Sequence, residues 1–148
     1  MSNDDNKKKF IRDYFKIAKR RLRYVLDAFD EEDYNYVVRE CQTVVEICSK
    51  ALILRWGFVV PEKHNLANEL EDDKDLFSKE FQNNISFVKR LSKRLREQRE
   101  KALYGDVNLK KSPYELYTKE STEKYLKDTQ KFYELCKNEL KDFLEGKG

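Results

Sequence analysis

The fold class this sequence predicts is all-α, an antiparallel up-and-down four-helix bundle, and three observations lead there. Apolar residues recur at three- and four-residue steps over long stretches, the period of a helix with one buried face. Only four Gly and two Pro punctuate 148 residues, so the chain has few places to turn. Stretches that combine β-branched residues with strict alternation are scarce, which removes the usual sign of strands. The composition is 39% hydrophobic and 40% charged, so the core must be built from few residues; nine Phe, nine Tyr and one Trp supply large buried area per residue.

The first helix is expected over about 7–29, with Phe10, Tyr14, Ile17, Ala18, Leu22, Val25, Leu26 and Phe29 as its inward stripe. Asp30 is the expected N-cap of a second helix, because Glu31, Glu32 and Asp33 then sit well against its dipole. That helix runs to about Trp56, with Val37, Cys41, Val44, Val45, Cys48, Ala51 and Leu52 inward, and Gly57 supplies its left-handed end. With about one linking residue between them, the two form an antiparallel hairpin.

Phe58-Val59-Val60-Pro61 reads as extended, and a short extra helix, Asn65 to Leu70, is expected next. A long third helix follows over about 74–104, turning Phe77, Phe81, Ile85, Val88, Leu91, Leu95 and Ala102 inward and ending at Gly105-Asp106. Ser112-Pro113-Tyr114-Glu115 combines a capping box with proline at the first helical position. The last helix carries Tyr125, Thr129, Phe132, Tyr133, Cys136, Leu140 and Phe143. One domain over 7–145 is expected, with flexible tips at 1–6 and 146–148.

No apolar run approaches the roughly 20 residues that span a bilayer. The polar start lacks the apolar stretch of a signal peptide. A cytoplasmic setting without membrane contact is therefore expected, with Cys41, Cys48 and Cys136 as reduced core thiols. One His and three scattered Cys give no metal-ligand spacing, and the four glycines form no phosphate-binding loop; neither metal nor cofactor is expected.

Net charge is only +3, but it is segregated. Glu69 to Asp75 carries five acids and one Lys, while Lys89 to Lys101 carries seven bases and two acids. Helical spacing puts Lys89, Lys93, Arg96 and Glu100 on one strip, and Arg90, Arg94 and Lys101 on another. Arg forks suit phosphate oxygens, so Lys89, Lys93, Arg96 and Arg99 are the candidate phosphate- or RNA-binding residues, against the plainer reading of a solvated face. Lys16, Lys19, Arg20, Arg21 and Arg23 form a second basic run. Glu46 and Lys50 are in the favourable order for an i,i+4 pair. His64 suits a cap or a loop hydrogen bond better than general base work. Tyr104 fits an interface ring, a stacking platform or a hydroxyl donor.

The second helix reads Tyr34-x5-Glu40-Cys41-Gln42-x3-Glu46-x3-Lys50-Ala51-Leu52, followed by Gly57, Pro61, His64 and Leu66, and the third ends Arg96-x2-Arg99-x4-Tyr104-Gly105-Asp106. Over about residues 8–140 this order resembles the HEPN family (higher eukaryotes and prokaryotes nucleotide-binding). The resemblance implies a bundle that commonly dimerises, with a cleft lined by the third long helix. It also implies RNA as a target and a small nucleotidyltransferase as partner in toxin–antitoxin-like systems. The family's RNA-cutting members use Arg, a polar residue, several spacers and then His. Here Arg99 and Glu100 fit the first two positions, and Tyr104 stands where the His would fall. Proton transfer in metal-free RNA cleavage favours a group near neutrality, whereas Tyr ordinarily titrates at about 10. The expectation is therefore a homodimeric module that binds nucleotide or RNA phosphate and is catalytically weak or inactive. The alternatives are a metal-independent ribonuclease using Arg99, Glu100 and Tyr104, and a non-enzymatic protein-interaction bundle.

Overall fold

A computed structural model describes residues 3–57 and 66–146, and in these the chain is all-α. Its elements are α1 (Asn3–Asp30), α2 (Tyr34–Arg55), α3 (Leu66–Asp72), α4 (Lys79–Asn83), α5 (Ile85–Glu97), α6 (Lys101–Tyr104) and α7 (Lys119–Leu144). Short 3-10 turns at Lys74–Leu76 and Pro113–Glu115 join the later ones. The expected extended segment 58–61 and His64 lie outside the described residues.

The four long elements α1, α2, α5 and α7 alternate in direction. Arg21 of α1 reaches Glu40 of α2 with both carboxylate oxygens at 2.9 Å, so these helices run antiparallel back from their turn. Ser78, ahead of α5, meets Glu139 of α7, while Arg94 near the other end meets Asp128. Helices α5 and α7 are thus antiparallel too. Arg12 donates to the Leu144 carbonyl at 2.7 Å, capping the end of α7 with a cation from α1.

Helices α2 and α7 are the diagonal pair, and they run parallel. The Cys41 thiol lies against Thr129, Cys48 against Cys136, and the Arg55 guanidinium sits 4.0 Å above the Phe143 ring. Each step of seven residues along α2 meets a step of seven along α7, the register of helices packed side by side. Small side chains at the contact let the axes approach, which squashes the bundle along this diagonal. Burial follows: Val37, Val38, Cys41, Val44, Val45, Cys48, Ala51, Leu52 and Ile53 leave α2 apolar on most sides. The three cysteines are free and buried, as expected.

Sequence and structure part at several places along the chain. Helix α1 begins at Asn3 rather than near 7, with Asp4 and Asp5 in a first turn that favours acids. Its buried residues are Ile11, Ala18, Leu22, Val25 and Ala28, whereas Phe10, Ile17 and Leu26 of the expected stripe are exposed. The apolar band is wider than the face the bundle covers. Asp30 does not cap α2; it ends α1, Glu32 takes a positive φ of 63°, and Asp33 is the N-cap without a side-chain bond. Three linking residues, not one, are needed to reverse the chain there.

The third helix is not continuous. It is interrupted at Phe77 and Ser78, which are extended, then at Asn84, whose side chain donates back to the Glu80 carbonyl at 2.9 Å, and again at 98–100. There Gln98 and Arg99 donate to carbonyls three residues back, tightening the turn. Tyr117 holds this kink by donating its hydroxyl to Gln98 at 2.9 Å. The capping box at Ser112 exists, but Glu115 closes it around a 3-10 turn only. A second box, Thr118 with Ser121, starts α7.

Candidate nucleic-acid interface

Helix α5 presents its charges in two directions. Arg94 turns toward α7, pairing with Asp128 at 3.2 Å and lying 5.1 Å from the Tyr125 ring centre. On the other side Lys89, Arg90, Lys93 and Arg96 line an open groove of about 460 Å³, together with Glu97 and with Ala67 and Asn68 of α3. Val88, Leu91 and Leu95 anchor the helix to the core, so the position of this basic wall is set by buried aliphatic contacts. Lys89 to Arg96 covers about 10 Å of axis at about 1.5 Å per residue, enough to meet more than one phosphate.

Helix α3 forms the opposite wall, held by buried Ala67 and Leu70. Glu71 reaches across to Lys89 at 2.9 Å. Part of the acidic 69–75 segment therefore lies beside the basic helix and neutralises one end of it.

The candidate residues do not all converge. Lys89, Lys93 and Arg96 share the groove, and Arg90 joins them although its helical strip differs. Arg99 and Glu100 occupy the exposed turn after α5, with Glu100 at the N-cap of α6. Tyr104 ends α6 with 73% of its surface exposed. Glu46 and Lys50 form their i,i+4 pair at 3.4 Å on α2. His64 lies outside the described residues. Among those described, no three His, Cys, Asp or Glu side chains gather as a metal site, and no helix is long and apolar enough to cross a membrane.

Beyond Tyr104 the chain forms a tight hairpin that sequence reading did not find. Asp106 and Lys111 exchange backbone hydrogen bonds at 2.8 and 3.0 Å, the Asp106 carboxylate accepts from Leu109 N at 3.1 Å, and Lys101 reaches the same carboxylate at 3.6 Å. Gly105 takes φ +82°, and a Cβ there would lie 2.5 Å from the Lys111 carbonyl oxygen, so the hairpin requires glycine. The Ser112 hydroxyl and N–H hold the Glu115 carboxyl below the usual range at its base. This frame presents Val107 and Leu109 to solvent, flanked by Tyr104 and Tyr114. The Asp106 and Gly105 pair was the only local signal for it.

A model of the HEPN domain matches residues 11–140. The chain belongs to the HEPN domain family. No curated protein and no solved structure matches it. The HEPN match spans α1 through most of α7, so the groove and the hairpin are both parts of the family domain.

Proposed function

We propose that this HEPN domain binds the phosphates of nucleotide or RNA in the groove between α3 and α5. The observation that carries the reading is the convergence of Lys89, Arg90, Lys93 and Arg96 on one open groove. Lys supplies point charges and Arg a planar fork, the two common ways of holding phosphate oxygens. Arg99, one turn on, extends the basic surface toward the hairpin. Binding without efficient cleavage fits the exposed position of Tyr104 at the family's His position and the separation of Arg99 from the groove.

The module acts as a homodimer and with a nucleotidyltransferase-type protein in a toxin–antitoxin-like pairing. The hairpin supports a protein contact, because a hydrogen-bonded frame that holds Val107 and Leu109 in water is suited to an apolar pocket on a partner.

Fluorescence anisotropy with a short labelled single-stranded RNA tests the groove. Lys93→Ala/Arg96→Ala weakens binding, and the slope of log affinity against log salt becomes shallower by about 0.7 per lost phosphate contact. Unchanged affinity and slope in the folded double variant would overturn the assignment. Chelator-resistant RNA cleavage lost in Arg99→Ala would instead establish the ribonuclease.

A further inference from the structure

Tyr104 and Tyr114 are the most exposed aromatic rings among the described residues, each with 73% of its surface in water. They stand on opposite sides of the hairpin foot, yet their backbones are neighbours. A Cβ at Gly105 would lie 3.1 Å from Pro113 Cδ and 3.1 Å from Ser112 Cα, so the chain beside Tyr104 runs directly against the chain beside Tyr114. Tyr114 is the central residue of the 3-10 turn Pro113–Glu115, which the Ser112–Glu115 capping box closes. Both rings thus rise from backbone that is already fixed, and little order is lost when a ligand meets them. Exposed rings on a rigid frame offer flat π-faces, and every nucleobase has one to match.

The foot of the hairpin is fastened to the end of the phosphate groove. Tyr117 donates to Gln98 at 2.9 Å, and Gln98 directly follows Arg96 and Glu97, which line the groove. Exposed Arg99 stands in the turn between groove and rings, and exposed Lys110 and Lys111 stand on the hairpin, outnumbering exposed Glu100. Asp106 and Glu115 are engaged inside the frame, Asp106 by Leu109 N–H and Lys101, Glu115 by Ser112. A strand whose phosphates lie along residues 89–96 therefore meets further cations and then the two rings as it leaves the groove. Val107 and Leu109 lie beyond the Asp106–Lys111 bridge and are not part of this surface. Paired RNA keeps its base faces inside its own stack, so ring stacking selects unpaired bases.

We infer that Tyr104 and Tyr114 form a stacking platform for the unpaired bases of an RNA strand leaving the groove. This rests on the phosphate-groove reading above and names its ligand, a single strand longer than one nucleotide. Where the family's RNA-cutting members carry His, this chain carries a ring that holds a base rather than a group that moves a proton.

Fluorescence anisotropy with a short labelled single-stranded RNA, and with the duplex of the same sequence, tests the inference, with helical circular dichroism as the check on folding. Tyr104→Ala and Tyr114→Ala are each expected to weaken single-strand binding by about 5- to 100-fold. The slope of log affinity against log salt stays unchanged, because removing a ring removes no phosphate contact. Tyr104→Phe/Tyr114→Phe keeps single-strand affinity within about twofold, since the ring is retained. Duplex binding is indifferent to all of these variants. Unchanged single-strand affinity in both alanine variants would overturn the platform and leave the rings to a protein partner. Phenylalanine variants that lose as much as alanine ones would overturn it in favour of the hydroxyls, and equal losses on the duplex would overturn the selection of unpaired bases. Ring variants that weaken binding while Lys93→Ala/Arg96→Ala does not would keep the platform and overturn the groove; a wild type that binds no RNA would overturn both.

Discussion

The α2–α7 seam and the end of the molecule from α5 through the hairpin are built on opposite principles. Cys41, Cys48 and Cys136 lie in the seam with almost no exposed surface, and small side chains bring two long helices together. At the other end, three short segments and a hairpin are held by named polar contacts: Asn84 to Glu80, Tyr117 to Gln98, and Asp106 to Leu109 and Lys111. The first region gains stability from packing density, where any change of volume is felt. The second adds these polar contacts to the buried Val88, Leu91 and Leu95 and keeps most of its charges at the surface. The surface chemistry can therefore vary while the seam preserves the fold.

The largest break in this contrast is expected from Phe132→Ala, which removes a ring with no exposed surface from α7 and costs about 3–5 kcal/mol. Chemical denaturation would measure it, and a loss below 1 kcal/mol would mean that the seam is not the source of stability. Gly105→Ala comes next, at about 1–3 kcal/mol, because the new Cβ meets the Lys111 oxygen and the backbone is held at positive φ. Hydrogen exchange should show faster opening around 105–112 while α2 and α7 keep their protection. Equal acceleration in the seam would erase the distinction between the regions.

Alkaline pH probes both regions at once. Burial pushes Cys41 in the seam and Tyr117 at the kink up to about 12, from ordinary values of 9.0 and 10.0. Below the ordinary values both states hold these protons. Above them the unfolded chain releases protons that the folded chain keeps, so stability falls as pH rises toward 12. Denaturation midpoints measured from neutral pH upward should decline through this window, and Tyr117→Phe should flatten the upper part. The smallest effect on stability is expected from Lys93→Ala/Arg96→Ala, within about 0.5 kcal/mol, since both side chains line an open groove. That variant should change RNA binding and leave the denaturation midpoint in place.

Much of the seam was legible in the sequence. Every residue of the expected α2 stripe is buried, and Thr129, Phe132, Tyr133, Cys136, Leu140 and Phe143 of α7 are too. Long periodic stretches carry this information because helical spacing alone fixes which side chains share a face. The parallel approach of α2 and α7 was not legible, since periodicity says which face is apolar but not which helix covers it. Nor were the breaks at Asn84 and Gln98, where a side chain from the same turn or from a distant loop holds the kink. The basic strip on α5 was visible as Lys89, Lys93 and Arg96; its opposing wall, and the reach of Glu71 to Lys89, depend on how α3 lies.

By itself, the sequence determined that this chain is helical, which faces are apolar, where α2 ends at Gly57 and that α5 is basic. Those properties follow from local spacing and from single residues with restricted backbones. The tertiary structure decided which apolar residues are core and which are surplus. Phe10 and Ile17 fit the first helix's stripe as well as Ala18 and Leu22 do, yet only the latter face another helix. A helix carries a band of apolar residues wider than the contact it makes, and its neighbours determine which part of that band leaves water.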